Sequence, residues 1–126
     1  MRVFTNKWFH HWARREGISD VALFNAAEEI PLGKVEANLG GCLFKKRLSR
    51  AGAGKRGGYR VLVGYKRPNA ERIIFLYAFA KSEKANISDR EKAALTLVAE
   101  SFVTSNDEQL KELLEQNLIW EVLAHG

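Results

Sequence analysis

Arg72-Ile73-Ile74-Phe75-Leu76-Tyr77-Ala78-Phe79-Ala80 is the stretch that decides the fold. After Arg72 its only polar atom in a side chain is the Tyr77 hydroxyl. A short, near-continuous apolar run rich in branched and aromatic residues reads as a strand covered on both faces. Such a strand belongs in the middle of a sheet. The chain on either side must therefore supply neighbouring strands and a layer on each face.

Upstream, Arg67-Pro68-Asn69-Ala70 is a turn with Pro in a favoured position. Before it, Tyr59 to Lys66 alternates, with Tyr59, Val61, Val63 and Tyr65 on one side and Arg60, Leu62 and Lys66 on the other. Gly52, Gly54, Gly57 and Gly58 mark a basic loop. After Gly40-Gly41 the period is again two, with Phe44 and Leu48 opposed to Lys45 and Arg47. Arg2-Val3-Phe4-Thr5 is β-prone, and Thr5 or Asn6 can cap a helix ending at Gly17. Trp8, Phe9 and Trp12 on that helix read as packing for a helical hairpin rather than as a base-stacking platform. Ser19 opens its second arm, with Leu23, Ala27 and Ile30 as the apolar stripe before Pro31 and Gly33.

Downstream, Ser88 and Glu91 form a capping-box pair ahead of Leu95, Val98, Ala99 and Phe102. Ser105 and Glu108 repeat the signature before Leu110, Leu113 and Leu114, and the tail carries Trp120, Val122 and Leu123. The expected fold is α+β in one domain over residues 1–126. An N-terminal helical hairpin packs on a small, mainly antiparallel twisted sheet, followed by C-terminal helices.

Composition agrees with that size. The 126 residues suit one domain burying about two-thirds of its unfolded surface. The lone Cys42 excludes an intrachain disulfide and a Cys-based zinc site. No apolar run reaches the roughly 18 residues of a transmembrane helix, and Arg2, Lys7 and Arg14 interrupt the N-terminus. Neither a membrane span nor a secretory signal is expected, and the expected location is the cytoplasm.

The net charge of +5 divides unevenly: residues 1–72 carry +9 and residues 73–126 carry −4. No carboxylate occurs between Glu36 and Glu71, whereas nine Lys and Arg residues do. A block of one sign attracts polyanions, so a phosphate-rich partner is expected. Gly54-Lys55 resembles the end of a P-loop, but Ser49 stands where Gly is required and Arg56 where Ser or Thr is. His10 and His11 diverge on their helix and cannot share a metal, and neither a metal nor a cofactor is expected.

What remains is a cationic face. Lys45 and Arg47 alternate on one strand, Arg60 follows on the next, and Lys81 and Lys84 follow the apolar strand. One reading is a simple RNA-binding surface. The other is RNA cleavage, in which a 2′-hydroxyl attacks its own phosphodiester and fixed cations stabilise the phosphorane. A Lys among other cations can then act as base, because like charges disfavour its protonated form. Composition leaves both open.

Leu39-Gly40-Gly41, Phe44-Lys45-Lys46-Arg47, Gly54-Lys55-Arg56-Gly57-Gly58-Tyr59-Arg60 and Phe79-Ala80-Lys81-Ser82-Glu83-Lys84-Ala85-Asn86-Ile87 together resemble the RelE/HigB-like toxins of bacterial toxin–antitoxin modules. The resemblance covers about residues 1–104, leaving 105–126 as a helical extension. It implies a ribosome-dependent, metal-independent mRNA endonuclease that inhibits translation and is silenced by a partner antitoxin. It makes Lys45, Arg47, Arg60 and Lys81 the catalytic candidates, with Lys45 as base and Arg60 stabilising the phosphorane. Lys46, Arg50, Lys55, Arg56 and Lys84 are the expected RNA contacts. Ser82 stands where the best-known members carry Arg, and Ile87-Ser88 where they carry a catalytic Tyr, so the general acid is unassigned. A ParE-like gyrase inhibitor is the alternative on the same fold.

Overall fold

The computed structural model describes residues 1–49, 58–67 and 71–124. In chain order the elements are β1 (Arg2–Asn6), α1 (Lys7–Arg15), α2 (Asp20–Glu29), β2 (Ala37–Gly40), β3 (Leu43–Leu48), β4 (Tyr59–Gly64), β5 (Arg72–Ala80), α3 (Asp89–Val103), α4 (Asp107–Glu115) and β6 (Ile119–Val122). The strands form one sheet in the order β2-β3-β4-β5-β1-β6. Among the described residues only β1 and β5 pair in parallel; every other neighbouring pair is antiparallel. The apolar run thus sits inside the sheet, as its composition predicts.

That strand feeds two cores. Ile73, Phe75 and Ala78 join Phe9, Trp12, Leu23 and Ile30 beneath α1 and α2. Ile74, Leu76 and Phe79 join Ala99, Phe102 and Leu110 beneath α3 and α4. Each large apolar side chain buried this way contributes about 1.5–3 kcal/mol. The register of β5 against β4 shifts between Leu62 and Val63, which pair with Tyr77 and Phe75. Leu76 is the extra residue of that β-bulge, and the bulge bends the far end of β5.

Short polar side chains set the helix starts. Asn6 accepts from the Phe9 N–H at 2.8 Å, and Ser19 from that of Ala22 at 3.1 Å. Ser88 and Glu91 make both bonds of the predicted capping box. The next box is one residue later than predicted: Asn106 and Gln109 form it, not Ser105 and Glu108. The amide side chains of both residues reach the two backbone N–H groups at 2.8 and 2.9 Å.

The tail departs from a purely helical extension. After α4 the chain turns through Asn117, whose φ is +57°, and Ile119–Val122 adds to β1 as an edge strand. Glu121 receives two hydrogen bonds from Arg2 at 2.8 and 2.9 Å, and Trp120 stacks on His10 with ring centroids 4.2 Å apart. Val98 of the predicted α3 stripe is exposed rather than buried. Among the described residues no helix is long and apolar enough to cross a membrane.

Gly64 shows how closely α3 lies on the sheet. A Cβ there would stand 3.0 Å from Ile74 Cγ2 and 3.2 Å from Ala99 Cβ. Gly64→Ala is expected to destabilise the protein by about 1–3 kcal/mol through overpacking. Urea denaturation should show this as a lower midpoint at unchanged slope.

Candidate functional site

The hairpin of β3 and β4 brings three of the predicted catalytic cations onto one face. Arg47 lies directly opposite Arg60, and Lys45 lies opposite Leu62 one step along the same side. This is the face that α3 covers further along, where Leu43 and Leu62 enter the second core. Like charges directly opposite on neighbouring strands oppose pairing. Glu36 offsets the repulsion: its carboxylate meets the Arg60 guanidinium Nε at 2.5 Å. Glu36 is itself fixed where its backbone N–H donates to the Lys45 carbonyl at 2.8 Å.

The two arginines differ in access. Arg47 is exposed, whereas Arg60 retains 4 % of its surface. Lys34, Val35, Glu36, Lys46 and Arg47 line a depression of about 520 Å³ beside them. Arg47 is part of that lining, whereas Arg60 and Lys45 are not. Two guanidiniums on neighbouring strands, one of them held by Glu36, can bind a phosphodiester and stabilise added charge on it.

Lys46, among the expected RNA contacts, lies on the other side of β3. Being the odd residue between Lys45 and Arg47, it points to the α2 side of the sheet and is 6 % exposed. Its ammonium donates to the Lys34 carbonyl at 2.8 Å and pairs with Glu29 at 3.2 Å. It holds the end of α2 against the sheet instead of facing solvent. Lys81 is exposed in the turn after β5, next to Ala80, which pairs with Tyr59. Arg50, Lys55 and Arg56 lie outside the described residues.

Lys84 is bound to the capping box of α3. Its ammonium donates to both carboxylate oxygens of Glu91, at 2.6 and 2.7 Å, and lies 5.5 Å from the Tyr77 ring centroid. The hydrogen bond to Glu91 raises the Lys84 pKa. The bond from Lys84, followed by that from the Ser88 backbone, holds the Glu91 carboxyl down at about 2. A depressed carboxyl stabilises the folded state fully above its unfolded value of 4.5, and that contribution is lost as pH falls through about 2. An NMR titration of the Glu91 side chain should give a midpoint near 2 in the wild type. In Lys84→Met the midpoint should move up toward the ordinary carboxylate range.

Two features of this region were not read from the sequence. Glu36 falls in the connection between a helix and a strand, where nothing local links it to Arg60, 24 positions later. Its one visible mark is that it begins the carboxylate-free block. The second feature is Trp8. Phe9 and Trp12 are buried as helix packing, but Trp8 is 41 % exposed.

The family model described as the RelE toxin of the RelE / RelB toxin–antitoxin system matches residues 1–122. The chain belongs to the RelE toxin family. The match runs past residue 104 and takes in α4 and β6, so the edge strand is part of this RelE-family toxin's matched region. Family membership makes the protein the toxin of a toxin–antitoxin system, with an antitoxin as its partner. No curated protein matches the sequence.

Proposed function

We propose that this RelE-family toxin is an mRNA endonuclease that acts in the cytoplasm on ribosome-bound messages. The observation that carries the reading is the cross-strand pair Arg47–Arg60, with Lys45 beside it on the same face. In this reading the scissile phosphate sits against Arg47 and draws the Arg60 guanidinium from Glu36. Lys45 takes the proton of the attacking 2′-hydroxyl. The arginines hold the negative charge that grows as the O2′–P bond forms, and the P–O5′ bond then breaks to leave a cyclic phosphate. Lys81, at the open end of β5, is the candidate donor to the leaving 5′ oxygen. The residues named supply binding, base and charge stabilisation from side chains alone, and antitoxin binding would silence them.

Induction of the toxin without its antitoxin, with mapping of transcript 5′ ends, tests the proposal. The expected result is growth arrest with new 5′ ends at codon-linked positions in translated messages. A DNA-damage response with intact messages would overturn it in favour of gyrase inhibition. Unaffected cells, with salt-sensitive RNA binding in vitro, would reduce the protein to an RNA-binding module.

A further inference from the structure

A second feature lies at the edge of the sheet where β1 stops short of β5, with Trp12 and Tyr59 on the α1 side and Tyr77 and Phe79 on the side of Arg60. The last residue of β1 paired with β5 is Thr5, opposite Phe75. The Asn6 side-chain amide then donates to the Leu76 carbonyl at 3.0 Å, and the chain turns into α1. Beyond this point β5 runs on to Ala80 with β4 on one side and α1 on the other. The gap is a cleft of about 450 Å³ whose lining includes Trp8, Trp12, Tyr59, Tyr77, Arg15 and Lys84.

We infer that this cleft binds a nucleobase of single-stranded RNA. The inference rests on the RNA-cleaving reading above and extends it to a nucleotide flanking the scissile phosphate. Three observations point to a base. The first is the indole of Trp8, which is exposed and yet held: it lies 10° from parallel to Trp12 and 4.6 Å from the Tyr77 centroid. A fixed, exposed aromatic face offers stacking with little ordering left to do on binding. The second is polarity: Arg15, Glu16, Glu83 and Lys84 stand around the rings, so the lining offers donors and acceptors of both signs to the polar edge of a base. The charged lining suits a flat ring with polar edges better than an apolar anchor from a protein.

The third is position. Tyr59 and Ala80 are a cross-strand pair, and the next pair is Arg60 with Phe79. The cleft therefore opens at the same end of β4 and β5 as Arg60 and Lys81. An RNA strand with one phosphate at Arg47 and Arg60 would bring a neighbouring nucleotide to Trp8. Because base stacking tolerates any base, the cleft would add affinity without demanding a particular sequence.

Fluorescence anisotropy with a labelled single-stranded RNA oligonucleotide, in the absence of ribosomes, tests this. Trp8→Ala should weaken binding about 10- to 100-fold at unchanged salt slope, and Trp8→Phe should restore most of the loss. An abasic site in the oligonucleotide should weaken binding to the wild type and leave binding to Trp8→Ala unchanged. Far-UV circular dichroism and the melting temperature of each variant establish that it is folded. Wild-type RNA affinity in folded Trp8→Ala would overturn the inference, as would a loss confined to antitoxin binding. Arg47→Gln, measured in parallel, reports on the cationic face: a reduced salt slope there with no effect of Trp8→Ala would leave the proposed function standing and remove the cleft alone. Normal binding by Arg47→Gln beside weakened Trp8→Ala would do the reverse.

Discussion

Replacement of Arg60 by Lys is expected to abolish growth arrest on induction, with cleavage slowed by about 10²–10³ and the fold retained. The magnitude is that of removing one fixed group from the charge developing in a transition state. Lys keeps the positive charge, so Glu36 still has a partner, but it lacks the planar fork that can hold two phosphate oxygens at once. Arg60→Ala is a poorer test. It removes a buried side chain and leaves the Glu36 carboxylate unpaired. Breaking a fully buried pair costs about 3–5 kcal/mol; the cost here is lower because Glu36 keeps about a third of its side chain in solvent. Loss of toxicity in the Ala variant would thus mix chemistry with stability. The Lys variant separates them: a near-native melting temperature with no new 5′ ends supports the role, and full toxicity removes Arg60 from it.

The second large effect is expected at Lys45. Lys45→Gln should slow cleavage by about 10²–10⁴, the range for loss of a general base. The neighbouring residue supplies the control, because Lys46 carries the same charge but points to the opposite side of β3. Lys46→Met should cut at the wild-type positions, with its cost appearing in stability through the freed end of α2. Equal losses of cleavage in both variants, at equal stability, would mean that overall charge matters and that Lys45 has no particular role. Single-turnover cleavage of ribosome-bound message distinguishes these results from a change in binding.

The strands that carry strong periodicity were legible. The run in β5 demands burial on both faces whatever its neighbours, and the alternation in β3 and β4 assigns Lys45, Arg47 and Arg60 to one side. β2 was not legible, because Ala37-Asn38-Leu39-Gly40 has neither β-branched residues nor a clear period and exists by pairing with β3. β6 was hidden for a related reason: its four residues follow a strong helix signal, and what makes them a strand is β1, more than a hundred residues away. In the candidate site, periodicity gives the side of the sheet on which a cation lies but says nothing of what waits there. Lys46 finds Glu29 and the Lys34 carbonyl, and Arg60 finds Glu36, through contacts set only once helix and sheet have packed. Trp8 was masked by its company, since the same helix buries Phe9 and Trp12.

The placement of β1 also sets an order of events. Val3 to Asn6 pair with residues 119–122, and Arg2 to Thr5 with residues 72–75. Contacts this distant along the chain must close large loops before they stabilise anything, which slows folding. On a growing polypeptide, β1 has no partner until β5 has been made, and its other edge stays bare until β6 has left the exit tunnel. The β3–β4 hairpin that carries the cations is complete long before that, but its neighbour β5 still lacks β1 and β6. Assembly therefore waits for β6, and the sheet that carries the cations gains its last neighbour only after more than fifty residues beyond the β3–β4 hairpin have been made.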